Sequence, residues 1–352
     1  MTQQIFLSVD AQHQNLGDVL LRREMVRLLQ PFGKLHILAK QSPPQYIQAL
    51  EVPGDSVVYR SAMRWLLALG RVTVLHRVLL IYSPGPQRLS DSPRHIGAEL
   101  MRILLTTALK VAGSSAVKLG RSFEGRDPVM SSLVRIHNQV LSLCTCRDSR
   151  SAIVLRNRCA VFPDLVLATG DVRPAFSGEY IAISLRYDGS IDVELLAATL
   201  TRLAASLGLR PLVVNQVAYD APIGQRLADL LGANLIGNEQ STEGRIRETA
   251  NAYRMASVVV SDRLHALVTG MTYGAIPVPL ASGPMEKVSS ALAEIGLHAP
   301  ARSLEDLARI GPDDLSALRL RTAQALTLAR VRLADLPGLL EGCCTAQRNR
   351  PA

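Results

Sequence analysis

Short apolar runs alternate with longer stretches of helix-spaced apolar residues along most of the chain. Ile5-Phe6-Leu7-Ser8-Val9 reads as a buried strand, followed by a polar loop from Asp10 to Gly17. Val19, Leu20, Met25, Val26, Leu28 and Leu29 then fall at near-helical spacing, which predicts a helix over 18–28 capped by Asp18. Leu35-His36-Ile37-Leu38 reads as a second strand. A strand, loop, helix and strand in this order is how a doubly wound sheet begins. The alternation continues with predicted strands at 56–59, within 72–82, and at 116–119 and 141–146. Helices are predicted at 60–69, 93–111 and 128–139.

A turn-rich stretch at 168–178 marks a domain boundary. Beyond it a second α/β series begins, with strands at 180–185, 211–214, 235–236, 257–260 and 276–280. Helices are predicted between them and at 287–295, 304–310 and 314–333. The reading is an α/β chain of two Rossmann-like domains, over residues 1–170 and 178–336, with 337–352 as a flexible tail. No repeat of 20–50 residues is visible.

Composition narrows the classes. The 352 residues suit two domains of ordinary size, and 48% hydrophobic content is ample for two cores. The net charge is +9, carried mostly by arginine, since only Lys34, Lys40, Lys110, Lys118 and Lys287 are lysines. Arginine pairs bidentately with phosphate and carboxylate. No basic run alternates with aromatics, so nucleic acid is not expected as a partner. No segment reads as a signal peptide. Arg71 and Arg77 interrupt the longest apolar stretch, so a cytoplasmic protein is expected, with peripheral contact to an anionic membrane at the inner face. The five cysteines have no metal-site spacing, and no metal is expected.

Candidate chemistry concentrates in the second half. The strand 257–260 runs into Ser261-Asp262-Arg263-Leu264-His265, where Ser261 or Asp262 can cap a helix. Ligands of open α/β sheets bind where strands end, facing helix N-termini. Arg263 offers a forked cation there, and His265 can exchange a proton near neutral pH. Lys287 opens another helix after a Gly-Pro loop and is a further cation. Near the N-terminus, His13, Asn15, Gly17 and Asp18 share one loop whose side chains can hydrogen-bond hydroxyls. Arg147-Asp148 reads as a local turn with an ion pair.

Ser261-Asp262-Arg263-Leu264-His265-Ala266-Leu267, then Gly274-Ala275-Ile276-Pro277-Val278 and Lys287-Val288, resemble the C-terminal signature of the polysaccharide pyruvyl transferase family. Asn15-Leu16-Gly17-Asp18, Leu119-Gly120-Arg121-Ser122, Cys146 to Ser151, Pro163-Asp164 and Ile183-Ser184-Leu185-Arg186 match its other motifs in order. The resemblance implies a GT-B-like architecture, two Rossmann-like domains facing across a cleft that holds the active site. It implies transfer of a pyruvyl group from phosphoenolpyruvate to two hydroxyls of a sugar or lipid-linked glycan, with no bound cofactor. In that scheme Arg186, Arg263 and Lys287 hold the donor, and His265 is the general acid. His13, Asn15, Gly17 and Asp18 face the acceptor, and Glu286 or Asp18 is the base. Two other functions fit the same architecture: a glycosyltransferase using a nucleotide sugar, and a non-catalytic relative that scaffolds glycan assembly.

Overall fold

The protein is described by a computed structural model covering residues 3–171, 175–186, 191–239, 241–282 and 286–345. The chain folds into two units. The first holds residues 3–11, 21–165 and 332–345, and the second holds 12–20 and 166–331.

The apolar runs of the first unit become parallel strands, joined by a short polar strand, β5: β1 (Gln3–Ser8), β2 (Gly33–Leu38), β3 (Val57–Tyr59), β4 (Val78–Tyr82), β5 (Gly85–Arg88), β6 (Ser115–Glu124), β7 (Leu143–Cys146) and β8 (Ala160–Val161). Their order is β3-β2-β1-β4-β6-β7-β8, with β5 paired to β6. The helices are α1 (Leu16–Leu29), α2 (Pro44–Ala49), α3 (Ala62–Leu75), α4 (Pro93–Val111), α5 (Pro128–Val140) and α6 (Ser149–Val154). Phe6, Val78, Leu80 and Ala116 from the sheet pack with Trp65 and Leu69 of α3 and Leu109 of α4 to form the core. Fully burying a Val, Leu or Phe side chain in this core contributes roughly 1.5–3 kcal/mol of apolar transfer energy.

The second unit holds a five-stranded parallel sheet: β9 (Tyr180–Ser184), β10 (Arg210–Val214), β11 (Leu235–Ile236), β12 (Ala256–Ser261) and β13 (Ile276–Pro279), ordered β11-β10-β9-β12-β13. Around it lie α7 (Val193–Leu207), α8 (Ala221–Leu231), α9 (Thr242–Arg254), α10 (Leu264–Tyr273), α11 (Glu286–Ala293), α12 (Leu304–Ala308) and α13 (Pro312–Ala334). Its core joins Ile181, Ile183, Val258, Val260 and Val278 to Leu196, Leu200 and Leu203 of α7. The strand order reverses direction between β9 and β12, and this switch point is where such sheets hold ligands.

Several local expectations change. Residues 337–345, expected to belong to a flexible tail, lie in α14 (Leu336–Thr345). Leu336, Leu340 and Cys343 are buried, and the Ser115 hydroxyl donates to the Cys343 carbonyl at 3.3 Å, so the segment is anchored. Residues 346–352 lie outside the described residues. Residues 166–170, expected within the first domain, belong instead to the second unit. The Arg330 guanidinium donates to the carbonyls of Leu167, Thr169 and Asp171. Arg147 pairs with Asp164 at 3.0 Å instead of with its neighbour, while Asp148 caps α6 by accepting from the Ser151 N–H at 2.7 Å.

Candidate functional site

The carboxyl ends of β9 and β12 lie side by side, with Ser184 in register with Ser261. Arg186 follows the first and Arg263 the second. Asp262, only 3% exposed, ties the turns together. Its Oδ1 accepts from the Arg186 N–H at 3.1 Å, and its Oδ2 accepts from the Ser282 hydroxyl in the loop after β13. One buried carboxylate thus joins the loops of three adjacent strands.

Helix α10 begins at Leu264, with Arg263 as its N-cap residue and no side-chain cap hydrogen bond. Neither expected cap acts as one. The Ser261 hydroxyl accepts from the Arg263 N–H at 2.9 Å and donates to the Ser184 carbonyl at 2.6 Å, and Asp262 faces the neighbouring loops. A helix N-terminus carries partial positive charge and N–H groups suited to an anion.

Arg263 is ion-paired to Asp220, and its guanidinium carbon stands 5.5 Å from the Tyr219 ring centroid. Burial works against the arginine charge. The Asp220 carboxylate and Tyr219 more than offset it, so the Arg263 pKa lies above the ordinary guanidinium value. The Nε atoms of Arg186 and Arg263 are both buried with no hydrogen-bond partner among the described residues. A buried donor left unpaired costs about 1–3 kcal/mol, which an anionic ligand would recover.

The N-terminal loop, expected within the first domain, belongs instead to this unit, because residues 12–20 pack with 166–331. Asn15 bridges to Val217, and the Leu16 N–H donates to the Gln216 carbonyl at 3.0 Å. Arg245 of α9 donates to the carbonyls of Gln14 at 2.9 Å and Gln216 at 3.2 Å, fastening the loop to the end of β10. The helix cap is Asn15, whose Oδ1 accepts from the Gly17 N–H at 3.1 Å; Asp18 stands inside the first turn of α1. Gly17 lies directly against His265. A Cβ built on it would fall well inside 3.0 Å of the imidazole Nδ1 and Cγ and of the histidine Cβ.

The structure therefore brings Gly17, with its neighbours Asn15 and Asp18, to His265 in the first turn of α10. It places the Arg186 and Arg263 turns on either side of Asp262. His13 is half-buried in the same loop and makes no hydrogen bond among the described residues. Glu286 and Lys287 open α11, but their side chains lie outside the described residues. Two site residues escape sequence reasoning. Asp262 reads as a cap and as one position of the family signature, not as the tie between loops, and the one signal for Asp220 is its place after a strand end, where site residues gather.

The polysaccharide pyruvyl transferase family model matches residues 15–283. The chain belongs to that family. The match includes Asn15, Gly17, Asp18, Arg186, Asp220, Asp262, Arg263 and His265, whereas His13, Glu286 and Lys287 fall outside it. No curated protein sequence matches the chain. Among solved structures, Anabaena HepE in complex with UDP aligns with a TM-score of 0.59 at 9% identity, covering 98% of this chain and 100% of that one. UDP-GlcNAc 2-epimerase from Neisseria meningitidis, bound to UDP-GlcNAc, aligns at 0.54 and 10% identity over 97% and 100%. For this member of the pyruvyl transferase family these likenesses show the fold, a GT-B-type pairing of Rossmann-like units. Among the described residues no helix is long and apolar enough to cross a membrane.

Proposed function

We propose that the chain transfers the pyruvyl group of phosphoenolpyruvate to two hydroxyls of a sugar in a cell-surface or exported glycan precursor, forming a cyclic ketal. The observation that carries this reading is the pair of buried guanidinium Nε donors at the β9–β12 switch point, without a hydrogen-bond partner among the described residues, beside the N-terminus of α10. The donor molecule is small and carries both a carboxylate and a phosphate, so it matches fixed cations and helix N–H groups. Lys287, by its place at the start of α11, supplies a third cation in this scheme.

His265 protonates the methylene carbon of the donor while a sugar hydroxyl attacks the neighbouring carbon. The first carbon–oxygen bond forms, and the hydroxyl proton passes to a carboxylate, Asp18 or Glu286. The carbon–oxygen bond to phosphate then breaks, and Arg263 and Arg186 stabilise the departing charge. The second hydroxyl adds to the same carbon to close the ketal, and its proton leaves with phosphate. The cations do the electrostatic work, so the scheme needs no metal or cofactor. Gly17 sets the imidazole against the loop that carries Asn15 and Asp18, so the acceptor's hydroxyls meet the proton donor there.

The test is a reaction of the purified chain with phosphoenolpyruvate and a panel of glycan precursors, followed by phosphate release and acceptor mass. One phosphate per pyruvylated acceptor is expected. His265→Gln should lower kcat by about a hundred-fold or more, the usual contribution of a general acid. Undiminished turnover in that variant would remove His265 from the mechanism.

A nucleotide-sugar donor is the second reading, favoured by the UDP and UDP-GlcNAc held by the two structural neighbours. The chain would then be a glycosyltransferase, and phosphoenolpyruvate would not bind.

A further inference from the structure

The two helices that cover one part of the first unit's sheet carry apolar side chains on both sides. Trp65 and Leu69 of α3 and Leu109 of α4 point into the core. Met63, Leu66, Leu67 and Val74, spaced by three, four and seven residues, form a second stripe on α3 that faces water. Leu100, Leu104 and Val111 do the same on α4, beside Met101. The exposure is large: Val74 is 84% and Val111 85% accessible. Between the helices runs a groove of about 290 Å³, lined by Leu66, Gly70 and Val74 on one side and Leu105, Ala108 and Ala112 on the other.

An outward helix face in water normally carries charges of both signs. Here the charges have one sign. Of the 30 Asp and Glu residues, only Glu99 falls on α3 or α4, and it is completely buried. The exposed charged residues of these helices are Arg64, Arg71, Arg94 and Lys110, with Arg102 partly exposed. Asp91 is the nearest acidic position in sequence, two residues before α4. An apolar stripe flanked by cations and free of exposed carboxylates matches the boundary between acyl chains and anionic headgroups.

We propose that the outer face of α3 and α4 docks on an anionic phospholipid bilayer, with the apolar stripes entering the headgroup boundary and Arg64, Arg71 and Lys110 meeting lipid phosphates. The groove between the helices takes part of an acyl chain. The surface stands on its own whatever donor the chain uses, and it would bring the protein to a lipid-linked acceptor.

Flotation of the full chain with vesicles tests it. The chain should rise with phosphatidylglycerol-containing vesicles at low salt and stay behind with pure phosphatidylcholine. The triple variant Arg64→Glu, Arg71→Glu, Lys110→Glu should bind roughly a hundred-fold more weakly. The double variant Leu67→Glu, Leu104→Glu should lose binding to the same vesicles while keeping the wild-type circular dichroism spectrum. Leu320→Glu, at a 62% exposed position on α13, should bind as wild type. Absence of binding to anionic vesicles would overturn the proposal. So would binding that both surface variants retain, or a dimer that dissolves in the Leu67→Glu, Leu104→Glu variant without any vesicle binding.

Discussion

Gly17→Ala is expected to abolish most of the transferase activity while leaving a folded protein. Alanine normally favours a helix over glycine, and the backbone at position 17 is not in the left-handed region. The added methyl would nevertheless meet His265 at Nδ1, Cγ and Cβ, well inside 3.0 Å. A ring can rotate away from such a contact, but a Cβ fixed to the first turn of α10 cannot. Either α10 or the loop at Asn15 must therefore shift. Overpacking of this kind costs about 1–3 kcal/mol, read as a lower urea midpoint. The larger effect is catalytic. A displaced imidazole forfeits general-acid catalysis, so phosphate release should fall by about a hundred-fold or more. Activity within about two-fold of wild type would show that the imidazole position has no part in the proton transfer.

Glu99→Ala should have the largest effect on stability. The carboxylate is fully buried and accepts four hydrogen bonds: Lys118 at 3.1 Å and His137 at 2.6 Å on Oε1, Arg102 at 2.8 Å and Gln87 at 3.0 Å on Oε2. Lys118 is 1% exposed and would keep a buried charge without its counter-ion. Breaking such a pair from one side costs about 3–5 kcal/mol. The double variant Glu99→Leu, Lys118→Met should recover much of that loss, because the desolvation of both charges disappears with the pair. Burial alone would raise the Glu99 pKa, yet the His137 hydrogen bond and the Lys118 and Arg102 cations hold it well below the usual carboxylate range. A folded pKa below the unfolded one stabilises the protein above the unfolded value, 4.5 for this group, and that stability is lost as pH falls. The urea midpoint of the wild type should therefore drop on acidification through this range. Glu99→Gln, which cannot titrate, should show a smaller drop. Equal drops would mean that other carboxylates dominate.

Much of the fold is legible in the sequence because the parallel strands are buried on both faces and read as unbroken apolar runs. β12 is an example. Strand β5 is hidden by Pro84 and Pro86, which read as a loop; it pairs with the far half of β6, beyond Gly120, so β6 is longer than its apolar run. The site is partly legible. Arg186, Arg263 and His265 fall at strand ends by pattern and motif. The Gly17–His265 contact joins positions far apart in sequence, and only packing reveals it. Asn15 and Asp18 are both good capping residues. The bridge from Asn15 to Val217 fixes the chain so that Asn15 takes the role. Asp262 and Asp220 are underrated because a search for cations to hold an anionic donor overlooks the carboxylates that position them.

Calorimetric titration of phosphoenolpyruvate and, separately, of UDP into the wild-type chain and Arg263→Ala bears most directly on the donor. Saturable binding of phosphoenolpyruvate to the wild type, lost in Arg263→Ala, with no heat from UDP, is the predicted result. UDP binding with phosphoenolpyruvate inert would contradict the account and point to a nucleotide sugar.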